Sequence, residues 1–176
     1  MHRHSLRPCC ATLCLVLGLF PGILAQESAV IRAVATVLPS MTVVGTNNLN
    51  FEYVFPDVRK SVEKTAVGYA GEWTISGSPS AEVTLQFTLP DSLQAVHGNA
   101  AMRIGFSIAD AAYDDGTGAG QSAPSGVINP YAVNTKNLSW LGTMVVWLGG
   151  TVYPSRSQTG GTYTGDITLT VTYTGN

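Results

Sequence analysis

Cysteine does not occur after Cys14, and beyond residue 4 the only histidine is His97. Past residue 25 the chain therefore has no disulfide, no thiol nucleophile and no cysteine metal ligand. A histidine-based triad would have to use His97, which sits beside Gly98 and Asn99 in an expected loop, and no serine occupies a Gly-x-Ser-x-Gly elbow. Charge is also scarce, at 11% of residues. Without Arg3 and Arg7, seven basic residues face eleven acidic ones, a net charge of −4. Clustered Lys and Arg are missing, which argues against a nucleic-acid partner. No amphipathic helical stretch stands out after the N-terminus, and no period of 20 to 50 residues recurs, which excludes solenoids and propellers.

What the sequence does have begins with an N-terminus of export type. His2, Arg3, His4 and Arg7 precede an apolar run from Cys9 to Phe20, then Pro21-Gly22 and a short segment ending at Ala25. This is the layout of a secretory signal peptide, with cleavage expected after Ala25 and one domain spanning 26–176. The run is short for a membrane span, so no span is expected in the mature chain.

The mature sequence alternates with the period of a strand. From Gly161 to Tyr173, Tyr163, Ile167, Leu169, Val171 and Tyr173 face one side while threonines and Asp166 face the other, which predicts one strand. Ala81, Val83, Leu85, Phe87 and Leu89 predict a second, and Met102, Ile104, Phe106 and Ile108 a third. Leu49, Phe51, Tyr53 and Phe55 predict another, ended by Pro56-Asp57. Trp73 and Ile75 mark a short strand, and the polar stretch from Val58 to Gly71 fits an edge strand or a long loop. Thr143 to Val152, with Met144, Val145, Val146, Trp147 and Leu148, looks like one strand buried on both faces, with a bulge or bend at Gly149-Gly150. Residues 110–130 read as a long surface loop. Eight or nine short strands with frequent turns predict an all-β fold, an antiparallel β-sandwich.

Two parts of the chain resemble a known family. Leu49-Asn50-Phe51-Glu52-Tyr53-Val54-Phe55-Pro56-Asp57, within 33–57, resembles the N-terminal signature of a bacterial family of secreted domains of unknown function. In that family a Leu-x-Phe-Gly strand runs into a Pro-Gly turn. Leu148-Gly149-Gly150-Thr151, Gly161-Thr162-Tyr163-Thr164-Gly165 and Thr170-Val171-Thr172-Tyr173 are similar to its C-terminal end, and to spore coat protein U and fimbrial (pilin-like) subunits. Glu52 and Asp57 stand where the family has glycine, which leaves the turn geometry open. The resemblance implies an immunoglobulin-like sandwich at the cell surface, and a subunit that joins others by strand exchange. The segment from Ala29 to Val37, apolar at Ile31, Ala33, Ala35 and Val37, is then either a donor strand or the first strand of its own domain.

Other candidates are fewer. Asp110, Asp114 and Asp115 lie near Gly116 and Gly118, a set that could offer oxygen ligands to calcium or simply form a solvated loop. Tyr131, Trp140, Trp147 and Tyr153 could make a glycan platform, although buried aromatics are the commoner use. Asn137-Leu138-Ser139 is a glycosylation sequon by letter. The expectation is a secreted, non-enzymatic structural or adhesive subunit without a cofactor, partnered by itself or by other surface subunits. A monomeric carbohydrate-binding module is the alternative, and a hydrolase is third.

Overall fold

The computed structural model describes residues 31–35, 37 and 40–175. Its chain divides into two compact units, Met1–Thr36 and Val37–Asn176. The expected signal peptide and its cleavage site lie outside the described residues. Ile31, Ala33, Ala35 and Val37 are exposed and belong to no strand.

In the second unit every regular element among the described residues is a strand. They are β1 (Thr42–Asn47), β2 (Lys60–Val62), β3 (Gly71–Ser76), β4 (Glu82–Thr88), β5 (Ser92–Ala95), β6 (Ala101–Gly105), β7 (Ala111–Asp114), β8 (Gly126–Ile128), β9 (Asn134–Asn137), β10 (Thr143–Leu148), β11 (Gly150–Tyr153), β12 (Tyr163–Thr164) and β13 (Thr168–Tyr173). A first sheet runs β1-β3-β10-β7-β8, a second β12-β5-β6-β11-β2 and a third β13-β4-β9. All pairings are antiparallel.

Alternation decides which side of each strand is buried. On β4, Val83, Leu85 and Phe87 face inward while Gln86 and Thr88 are exposed. These inward residues meet Ile75 of β3, Met144, Val146 and Leu148 of β10, and Leu169 of β13, so the first and third sheets close a sandwich over one apolar core. Each such side chain contributes about 1.5–3 kcal/mol by leaving water. Trp73 meets Phe87 edge-on inside this core, with ring centroids 5.8 Å apart. A second cluster, with Phe51, Val62, Met102, Ile104 and Val152, packs beneath the second sheet, and Phe106 touches both.

Several expectations change. The stretch from Leu49 to Phe55 is not a strand, although Phe51 is buried. Its amide and carbonyl groups follow an irregular path, with Glu52 at φ 52° and Asp57 at φ 63°. Both residues thus hold the left-handed conformation that glycine adopts most readily. The stretch from Gly161 to Tyr173 is two strands in two different sheets, broken at Gly165-Asp166-Ile167. Residues 110–130 contain the β7–β8 hairpin and not only a loop. The double-sided burial expected of β10 is present, and Gly149 does more than bend the strand. It marks the point where the chain leaves the first sheet for the second.

Candidate functional site

An open groove of about 890 Å³ lies on the second unit. Its walls come from β1 at Gly45 and Asn47, from the irregular segment 48–54, and from residues 161–167 around β12. Its apolar lining includes Trp73, Leu93, Met102, Ile104 and Val152, supplied by β3, β5, β6 and β11. The polar lip carries Asn48, Asn50, Thr162 and Asp166. Both β1 and β12 are outermost strands of their sheets, each hydrogen-bonded on one side only. The groove therefore combines an apolar bed with residues of two outermost strands, each of which has a strand partner on one side only among the described residues.

Local contacts hold the walls in shape. The Asn47 side-chain amide donates to the Ala70 carbonyl at 2.7 Å, and the Glu52 amide donates to the Asn50 carboxamide oxygen at 2.8 Å. Lys60 reaches Glu52 at 3.5 Å and the Tyr53 carbonyl at 3.3 Å. On the opposite wall the Tyr163 hydroxyl donates to the Thr159 carbonyl at 2.6 Å and accepts from Gln158 at 2.7 Å. Tyr53 is 88% exposed and Phe55 71%, so the segment 52–58 presents aromatic surface to solvent beside the groove.

The acidic cluster is spent on its own loop. Asp114 accepts from the amides of Gly116, Gly118 and Gly120 at 2.8, 3.1 and 2.9 Å, and from Ser125 Oγ at 2.9 Å. Asp115 accepts from the Thr117 hydroxyl and amide at 2.6 and 3.1 Å. Burial works to raise both carboxyls, but the hydrogen bonds outweigh it, so both titrate below the ordinary carboxylate value. Asp110 is engaged elsewhere, accepting from Ser107 Oγ at 2.6 Å and the Ser107 amide at 2.7 Å. Among the described residues no group of three or more His, Cys, Asp or Glu is placed to hold a metal ion.

The four aromatics considered for a glycan platform fall in separate elements. Trp147, on β10, is 4% exposed, and its indole donates to Glu72 at 2.9 Å. Thr46 of β1 donates to the other Glu72 oxygen at 2.8 Å, so this carboxylate ties three strands of the first sheet. Tyr153, on β11, stacks under Arg103 at 4.9 Å. Tyr131, between β8 and β9, donates to the Phe106 carbonyl at 3.0 Å, and Trp140 is 77% exposed on the β9–β10 turn. His97 is exposed after β5, and Asn137 of the sequon is exposed on β9. The near-terminal Tyr173 accepts at its hydroxyl from the Ser78 amide at 2.7 Å, a structural tie between β13 and the β3–β4 turn.

The groove itself had no signature in the sequence. Its lining is drawn from stretches as far apart as Gly45 and Ile167, and although Leu49, Phe51, Tyr53, Trp73, Met102, Ile104, Tyr163 and Ile167 were each expected on strands, nothing in the sequence brought those strands together. No protein-family model matches the sequence. No curated protein matches it either.

Proposed function

We propose that the chain is a secreted, non-enzymatic structural or adhesive subunit of a bacterial cell surface, and that the groove is where a neighbouring copy docks by strand exchange. The observation that carries this is the apolar groove lined in part by β1 and β12, each the outermost strand of its sheet. An extended segment laid there gains backbone hydrogen bonds from an edge while alternate side chains enter the apolar bed. Ile31, Ala33, Ala35 and Val37 of a second copy supply that period-2 row, and Ile31 and Val37 stand 93% and 90% exposed.

Size-exclusion chromatography with light scattering on the purified chain tests this. The wild type is expected to form a ladder of oligomers, the doubly substituted Ile31→Asp, Val37→Asp chain to lose that ladder and run as one folded species of fixed size, and an added peptide covering 29–37 to bind that species. A wild type that forms no ladder and ignores the peptide sinks the proposal, and if it binds a neutral glycan saturably, the carbohydrate-binding module replaces it.

A further inference from the structure

An outermost strand offers unpaired backbone groups to any other chain, and folded proteins blunt such edges by shortness, bulges or charge. Here β12 has two residues, β2 and β8 three each, and β9 four with Lys136 among them. β1 has six but loses register between Gly45 and Asn47. β13 has none of these defences. Its six residues run in unbroken register against β4, from Thr168↔Thr88 to Tyr173↔Val83, and contain no charge, proline or glycine.

The direction of its free backbone groups follows from one bond. The Thr174 amide donates to the Glu82 carbonyl at 3.2 Å, one step beyond the Tyr173↔Val83 pair. Alternation along an antiparallel ladder then turns the N–H and C=O of Thr168, Thr170 and Thr172 toward β4, and those of Leu169 and Val171 away from it. Thr168, Thr170 and Thr172 are exposed, and among the described residues their hydroxyls make no hydrogen bond to another side chain or to the backbone.

We propose that β13 pairs antiparallel with β13 of a second copy, joining two third sheets into one six-stranded sheet about a two-fold axis. The strand is complementary to itself. Opposed residues of an antiparallel pair point to the same face, so the two-fold must set threonine against threonine and apolar against apolar. The register that uses the outward groups places Thr170 opposite Thr170, Thr168 opposite Thr172, and Leu169 opposite Val171 twice. Leu169 and Val171 then exchange both backbone bonds at each occurrence, and the uncharged threonine rows meet without repulsion. This interface uses neither the groove nor the segment from Ile31 to Val37, so it gives a subunit two independent contacts.

The test substitutes Thr170, whose exposed side chain would lie closest to its own copy across the axis. All chains carry Ile31→Asp and Val37→Asp, so strand exchange does not contribute, and melting curves confirm that each is folded. By sedimentation velocity the Thr170 parent is expected to dimerise. Thr170→Lys and Thr170→Glu alone are each expected to weaken the dimer on the order of tenfold or more through like charges in contact. Their equimolar mixture restores it. A parent that is monomeric, single variants that dimerise like the parent, or a mixture no tighter than either variant overturns the proposal.

Discussion

Glu52 shows how a single residue can hold a conformation its side chain disfavours. At φ 52° it sits in the left-handed region, which costs a non-glycine residue roughly 1–2 kcal/mol, whereas glycine there loses roughly 0.5–1 kcal/mol through greater unfolded-state freedom. The exposed Lys60 contact returns little, since surface pairs are worth about 0–1 kcal/mol. Glu52→Gly is therefore expected to raise stability by about 0.5 kcal/mol, read as a higher urea midpoint. Asp57→Gly should gain less, because aspartate tolerates this region better. A lower midpoint for Glu52→Gly would mean that the carboxylate, not the backbone, organises the segment. Nothing in the sequence itself marks either position for a left-handed backbone; that conformation goes with the way Phe51 and Val54 of the same segment pack into the second core.

At the scale of the element, the β7–β8 loop is stapled by carboxylates. Asp114 and Asp115 titrate below their unfolded value, so they stabilise the folded loop fully above about pH 4, and this contribution is lost as pH falls through the lowered folded values. Amide exchange at Gly116, Gly118 and Gly120 should accelerate on acidification below about pH 4 relative to core amides. Asp114→Asn should bring that faster exchange to neutral pH. If the three amides keep their protection in the variant, the carboxylate is not what orders the loop. This hairpin escaped the sequence because its fully buried β7 residues are the adjacent Ala111 and Ala112, and its second strand opens on Gly126, none of which makes an apolar alternation. β9 escaped for a related reason: Asn134, Thr135, Lys136 and Asn137 are all polar, and the strand exists because it pairs with β4.

For the whole molecule the decisive position is Gly149, where the chain passes from the first sheet into the second. A Cβ there would press on the Val62 carbonyl and lie 2.7 Å from the Lys64 amide, both backbone and unable to rotate aside. Gly149→Ala is expected to destabilise the fold by roughly 1–3 kcal/mol, seen in thermal melts. A variant as stable as the wild type would show that β2 can shift away from the crossing. The sequence by itself determined the all-β class, the inward rows of β4 and β13, the two-sided burial of β10 and an irregularity at Gly149-Gly150, because period-2 alternation and glycine act within a few neighbouring residues. Tertiary structure alone decided that β12 and β13 part into different sheets, that β1 and β12 border one groove, and that β13 ends a sheet undefended. Pairing and edges are relations between distant stretches, set by which apolar faces share a core, and no local pattern in one stretch records its neighbour.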